Sequence, residues 1–160
     1  MVPRHLPDKP FPPYKHLPGR TPHPRKHTDG QGRVAEECVG PPLTEAHWRT
    51  NGAYLYGVDL YNYGYWWEAH EAWEGLWVMA EKESLERIFL QGLIQTAAAL
   101  LKARAGNVHA AGKLWEKARP KLERVRAAAP EYMGLDLAEF VHNTAEHIVS
   151  GSGKSRLSVY

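Results

Sequence analysis

Ten of the twelve prolines fall within residues 1–42, and that asymmetry decides which parts of the chain can be helical. Proline lacks an amide hydrogen and fixes its own φ, so the first quarter is expected to run extended. Four of the nine histidines lie there too, and basic residues outnumber acidic ones by seven to four across residues 1–40. Two states are open for this stretch: a disordered tail, or an arm laid across the rest and anchored by Phe11, Tyr14 and Leu17. From Leu43 onward only Pro120 and Pro130 remain to interrupt a helix.

The apolar spacing then predicts an all-α bundle of about five helices joined in hairpins. Thr44 is expected to cap a helix reaching Asn62. Further helices are predicted over 64–81, 84–105 and from 108, the last broken or kinked at Pro120. Gly106-Asn107 reads as a stop followed by a start, glycine taking the left-handed position and asparagine accepting from free amides. Gly134 and Asp136 open a fifth helix, to about Ser150. No segment alternates as a strand does. The division expected is an arm over 1–42, a helical domain over 43–150 and a flexible tail over 151–160. "GYWWEAHEAWE" (64–74) and "GNVHAAGKLWE" (106–116) share Gly-x4-Ala-x3-Trp-Glu, an internal echo suggesting related hairpins, as in tetratricopeptide-type arrays.

Charge and cysteine content exclude more than they select. The 20 basic and 18 acidic residues nearly cancel, giving no electrostatic reason to expect nucleic acid or an anionic membrane as partner. A single cysteine, Cys38, rules out an intrachain disulfide framework and a multi-cysteine zinc site. No apolar run nears the roughly 18 residues of a membrane helix, and the start lacks a secretory apolar segment. A cytoplasmic protein is the expectation.

The chemistry concentrates in "WWEAHEAWEGLW" (66–77). At 100° per residue, Trp66, Trp73 and Trp77 fall within about 40° of one another, with Ala69, Leu76 and Ala80 beside them. That stripe is expected to be core. His70, Glu71 and Glu74 share an arc on its edge, bounded on the far side by Trp67 and Val78, while Glu68 points away and is expected to be solvated. On the next predicted helix Gln91 and Gln95 stand one turn apart among small residues. An unpaired buried amide costs about 1–3 kcal/mol, so the two glutamines are expected to face the His70/Glu71/Glu74 arc. Three readings of such a cluster stay open. It is a structural network; a metal site using His70 and Glu74, with a third ligand such as one from "EFVH" (139–142); or a metal-free site for acid–base work or binding of a small polar molecule.

"GVDLYNYGYWWEAHEAWEGLW" (57–77), "FLQGLIQTAAALLKARAGNVHAA" (89–111) and "YMGLD" (132–136) are similar to the domain-of-unknown-function 309 family. Its pattern runs Phe-Asn-x-Gly-x-x-x-Glu-Ala-His-Glu-x-x-Glu and then Leu-Gln-Gly-Leu-Ile-Gln, with Tyr61 here in place of the phenylalanine. "PFPPYKHLPGRTPHP" (10–24) resembles the lead-in of longer members, which favours the packed arm and makes His23 a candidate to reach the cluster. The resemblance implies a compact helical fold and no reaction. Asn62, Glu68, His70, Glu71, Glu74, Gln91 and Gln95 match its polar motif positions, which tilts the balance toward a functional site. The catalytic candidates are therefore His70, Glu71 and Glu74, with Glu74 orienting His70. Asn62, Glu68, Gln91, Gln95 and His23 are the ligand-binding ones. A divalent metal is the cofactor to consider, and hydrolysis of a small polar substrate is the reaction class to consider. The alternative is a tetratricopeptide-like module that binds a protein partner, the cluster serving only to fix packing.

Weaker signals resolve toward the bland reading. "SGSGKS" (150–155) follows a helix and lacks the first glycine of a phosphate loop. Of the spaced pairs His142/Glu146 and Asn143/His147, most such pairs are surface features. "EKARPKLERVR" (116–126) reads as a solvated face, and Cys38 has no basic partner to activate it.

Overall fold

The computed structural model describes residues 2–26, 30, 40–150 and 157–159. Five α-helices follow one another: α1 Gly52–Asn62, α2 Trp66–Met79, α3 Leu85–Arg104, α4 Val108–Ala128 and α5 Leu137–Ser150. Consecutive helices pack against each other, and α5 also touches α3. The fold is a compact helical bundle.

α1 is almost wholly buried: nearly every residue from Ala53 to Tyr61 is apolar, and none is exposed. Its start differs from the expectation. Thr44 caps nothing; a short 3-10 turn, Trp48–Thr50, intervenes, and Asn51 caps α1 by accepting from Tyr54 N at 3.0 Å. Trp73 of α2 packs closely on α1, donating to Tyr54 O at 3.3 Å, because Gly57 has no side chain: a Cβ there would clash with the indole nitrogen. Ser84 caps α3, a cap the sequence reading did not name, while Gly106 takes φ +84° and Asn107 caps α4, as the sequence predicts.

Two further differences have plain causes. α4 runs unbroken through Pro120, which is exposed, so the lost amide bond falls on the wet side of the helix. A two-residue antiparallel ladder, β1 Glu131–Tyr132 with β2 Leu135–Asp136, forms around Gly134 at φ +77°. Pairs this short leave no alternation to read. Asp136 then accepts from Glu139 N at the start of α5.

The echoed segments play equivalent parts. Gly64 and Gly106 both take positive φ, Ala69 and Ala111 are fully buried, and Trp73 and Trp115 are core. Around this bundle the N-terminal arm is packed by named contacts, with Phe11 against Tyr63 and Tyr65, and Tyr56 donating to Pro10 O. No helix among the described residues is long and apolar enough to cross a membrane.

Candidate functional site

α2 buries Ala69, Ala72, Trp73 and Leu76 against the core, while Trp66 and Trp77 sit at its margins, partly exposed. The buried arc is thus rotated toward Glu68 relative to the expected tryptophan stripe, and Val78, expected at an apolar boundary, is 66% exposed. Arginines cover the marginal tryptophans: Arg104 over Trp66 at 3.7 Å and Arg87 over Trp77 at 4.1 Å.

Glu68 corrects the sequence reading most sharply. Expected on the solvated side, it has no exposure at all, and its Oε1 accepts from His16 N of the arm at 2.7 Å. Burying a carboxylate is tolerable when charge-assisted bonds replace water, and the arm supplies them. Asp59 of α1 repeats the arrangement, accepting from His5 N at 2.8 Å and Leu6 N at 2.9 Å with Arg4 alongside. Asn62 serves the other end of the chain, its amide bonded both ways to the Leu157 backbone. Asn62 and Glu68 thus direct these bonds to the chain itself.

His70, Glu71 and Glu74 do come together. One ligand-type atom from each lies within 4.8 Å of the others. His70 Nδ1 stands 3.6 Å from Glu71 Oε1, beyond a hydrogen bond, and has no hydrogen-bond partner among the described residues. Burial holds the imidazole below its ordinary pKa, with Arg25 adding to the effect and Glu74 opposing it. At neutral pH the ring is accordingly uncharged, with a nitrogen lone pair available. Glu71 is buried and ion-paired with Arg25.

The other candidates distribute around this face. Gln91 and Gln95 of α3 are half-buried, and no hydrogen bond joins either to His70, Glu71 or Glu74 among the described residues. Gln95 Oε1 is buried without a hydrogen-bond partner among the described residues. The expected crevice between α2 and α3 is therefore not closed by amide-to-carboxylate bonds. His23 stays one step away, with its ring against Trp67 and His16, while its Nδ1 accepts from Arg25 N. Cavities of about 490 Å³ beside Trp48 and about 320 Å³ beside Pro42 open elsewhere, and none of these residues lines them. His142 and Glu146 form an exposed surface pair at 3.7 Å. Cys38 and residues 151–155 of the glycine-lysine stretch lie outside the described residues.

Arg25, Asp59 and His16 are the residues sequence reasoning missed. Asp59 was detectable as the one charge in an otherwise apolar helix. Arg25 carried no such signal, because an extended proline-rich segment has no periodicity to set its facing.

No curated protein matches the chain. The model of the family described as Domain of unknown function (DUF309) matches residues 54–114, a stretch that holds most of α1, all of α2 and α3, and the start of α4. Over that stretch the chain is similar to the DUF309 family.

Proposed function

We propose that the His70/Glu71/Glu74 face of α2 binds a divalent cation, and that Arg25 supplies the counter-charge to Glu71 when no cation is present. The observation that carries this is an uncharged, unpartnered imidazole nitrogen beside two carboxylates, all within 4.8 Å. Ligands of a tetrahedral zinc lie about 3.3 Å apart, so the three groups need to close by roughly 1.5 Å at most, within the reach of side-chain rotation. Gln91 and Gln95 are the amides that would orient a bound water or small polar molecule. Hydrolysis of a small polar substrate is the reaction class that suits these residue types, with Glu71 as proton carrier. A cytoplasmic setting fits the reading.

A second reading has an observation of its own. Asp59 and Glu68 hold the arm, and Glu71 meets Arg25 of the same arm. On that view the polar face fixes packing in a helical-hairpin module that binds a protein partner. Calorimetric titration of zinc into metal-free protein separates the two. Cation binding predicts a saturable heat, weakened at least about tenfold in His70→Ala and Glu74→Gln, while both variants melt near the parent temperature. An absent heat, with both variants strongly destabilised, overturns the cation site in favour of the packing role.

A further inference from the structure

Gly64, at the turn from α1 into α2, holds φ +80°, and two cations crowd the space a side chain would fill. A Cβ there would sit 2.7 Å from Arg104 Nη2 and 3.6 Å from Lys15 Nζ. Arg104 Nη1 donates to Gly64 O at 2.7 Å, and Lys15 reaches across the Tyr65 ring at 5.1 Å. Desolvation pulls both cations below their ordinary pKa values, and Lys15 is lowered further by Arg104. Glu68 opposes the shift in each, but its Oε1 already accepts from His16 N. Two positive groups thus meet one carboxylate, and the corner carries an excess of positive charge.

Beside them opens a cavity of about 480 Å³, lined by Trp66, Arg104, His147, Val108, Ile148 and Val149. The volume falls in the range of small-molecule sites, which are mostly apolar with a few polar groups to fix orientation. Val108 and Val149 are 64% and 85% exposed, unusual for branched apolar side chains with nothing to cover. Trp66 Nε1–H is buried without a hydrogen-bond partner among the described residues. None of the residues of the cation site lines this cavity.

We propose that this cavity binds a small organic anion, its carboxylate on the Arg104 guanidinium and its apolar body against Trp66, Val108 and Val149. A guanidinium fork suits a carboxylate, which takes two parallel bonds from it. Lys15 adds charge without lining the cavity, so it strengthens binding less than Arg104 does.

Octanoate is the probe, titrated into the full chain and followed by the Trp66 indole N–H resonance, assigned with Trp66→Phe. The expected result is a saturable shift, with octanol of the same chain length binding at least about tenfold more weakly. Arg104→Gln should weaken octanoate by a similar factor, and Lys15→Gln by about threefold. The proposal is overturned if octanoate leaves the resonance unmoved up to about 10 mM, where even a millimolar site would fill. It is equally overturned if octanol binds as tightly as octanoate. Arg104→Gln could loosen the Gly64 turn, and the octanoate–octanol comparison on the unaltered chain decides the matter without it.

Discussion

Asp59, Glu68 and Glu71 are carboxylates with almost no access to water, and each meets a donor from the first 25 residues. His16 shows how finely such a contact is set. Its backbone amide bonds Glu68, while its buried ring meets Thr21 Oγ1 at 2.8 Å and packs edge-on to Trp67 and His23. Burial lowers its pKa, with His23 adding to that and a hydrogen bond to Pro22 O opposing it. As pH falls through about 6.5 the unfolded chain takes up this proton before the folded one does. Stability attributable to His16 is therefore full above that pH and declines below it, until the folded value is passed. Thermal melts at pH 7.5 and 5.5 check this: His16→Asn should lose less stability on acidification than the parent protein.

At the scale of elements, the helices are ordinary in their caps and unusual in one interior. Ser84, Asn107 and Asp136 each accept from a backbone amide three residues on, contacts short enough in sequence to be read from it. Pro120 does not break the helix, although its cost suggested that it could. Propensity acts locally, while Leu122, Ala118 and Val125 bury the same helix against its neighbours and override it. The cost is still present, so Pro120→Ala should stabilise the protein by about 2 kcal/mol. That corresponds to a Tm rise of roughly 4–8 °C, measured by calorimetry. No rise would mean that the proline's restriction of the unfolded chain offsets the whole helical penalty.

For the whole molecule, the arm and the bundle depend on each other. Asp59 ties residues 54 positions apart, and removing its charge leaves two arm amides facing a group that can accept only one of them. Asp59→Asn should cost about 2–3 kcal/mol and open the first residues to limited proteolysis. An unchanged melt and an unchanged cleavage pattern would show that the arm is held by its aromatic contacts alone. The His70/Glu71/Glu74 grouping was legible because all three lie on one helix at i, i+1 and i+4. The partners of Glu68, Glu71 and Asn62 were not, since they sit on segments without helical spacing.

What the sequence by itself determined follows from interactions of short range: helix type, most caps, the glycine turns and the clustering of His70 with Glu71 and Glu74. Proline density also determined that residues 2–26 would form no regular helix. Only the tertiary structure decided where that extended chain lies, and so which carboxylates are buried. An extended backbone leaves its amides unpaired, and they bond to whichever acceptors the bundle presents. That pairing made Glu68 an anchor where periodicity placed it in solvent.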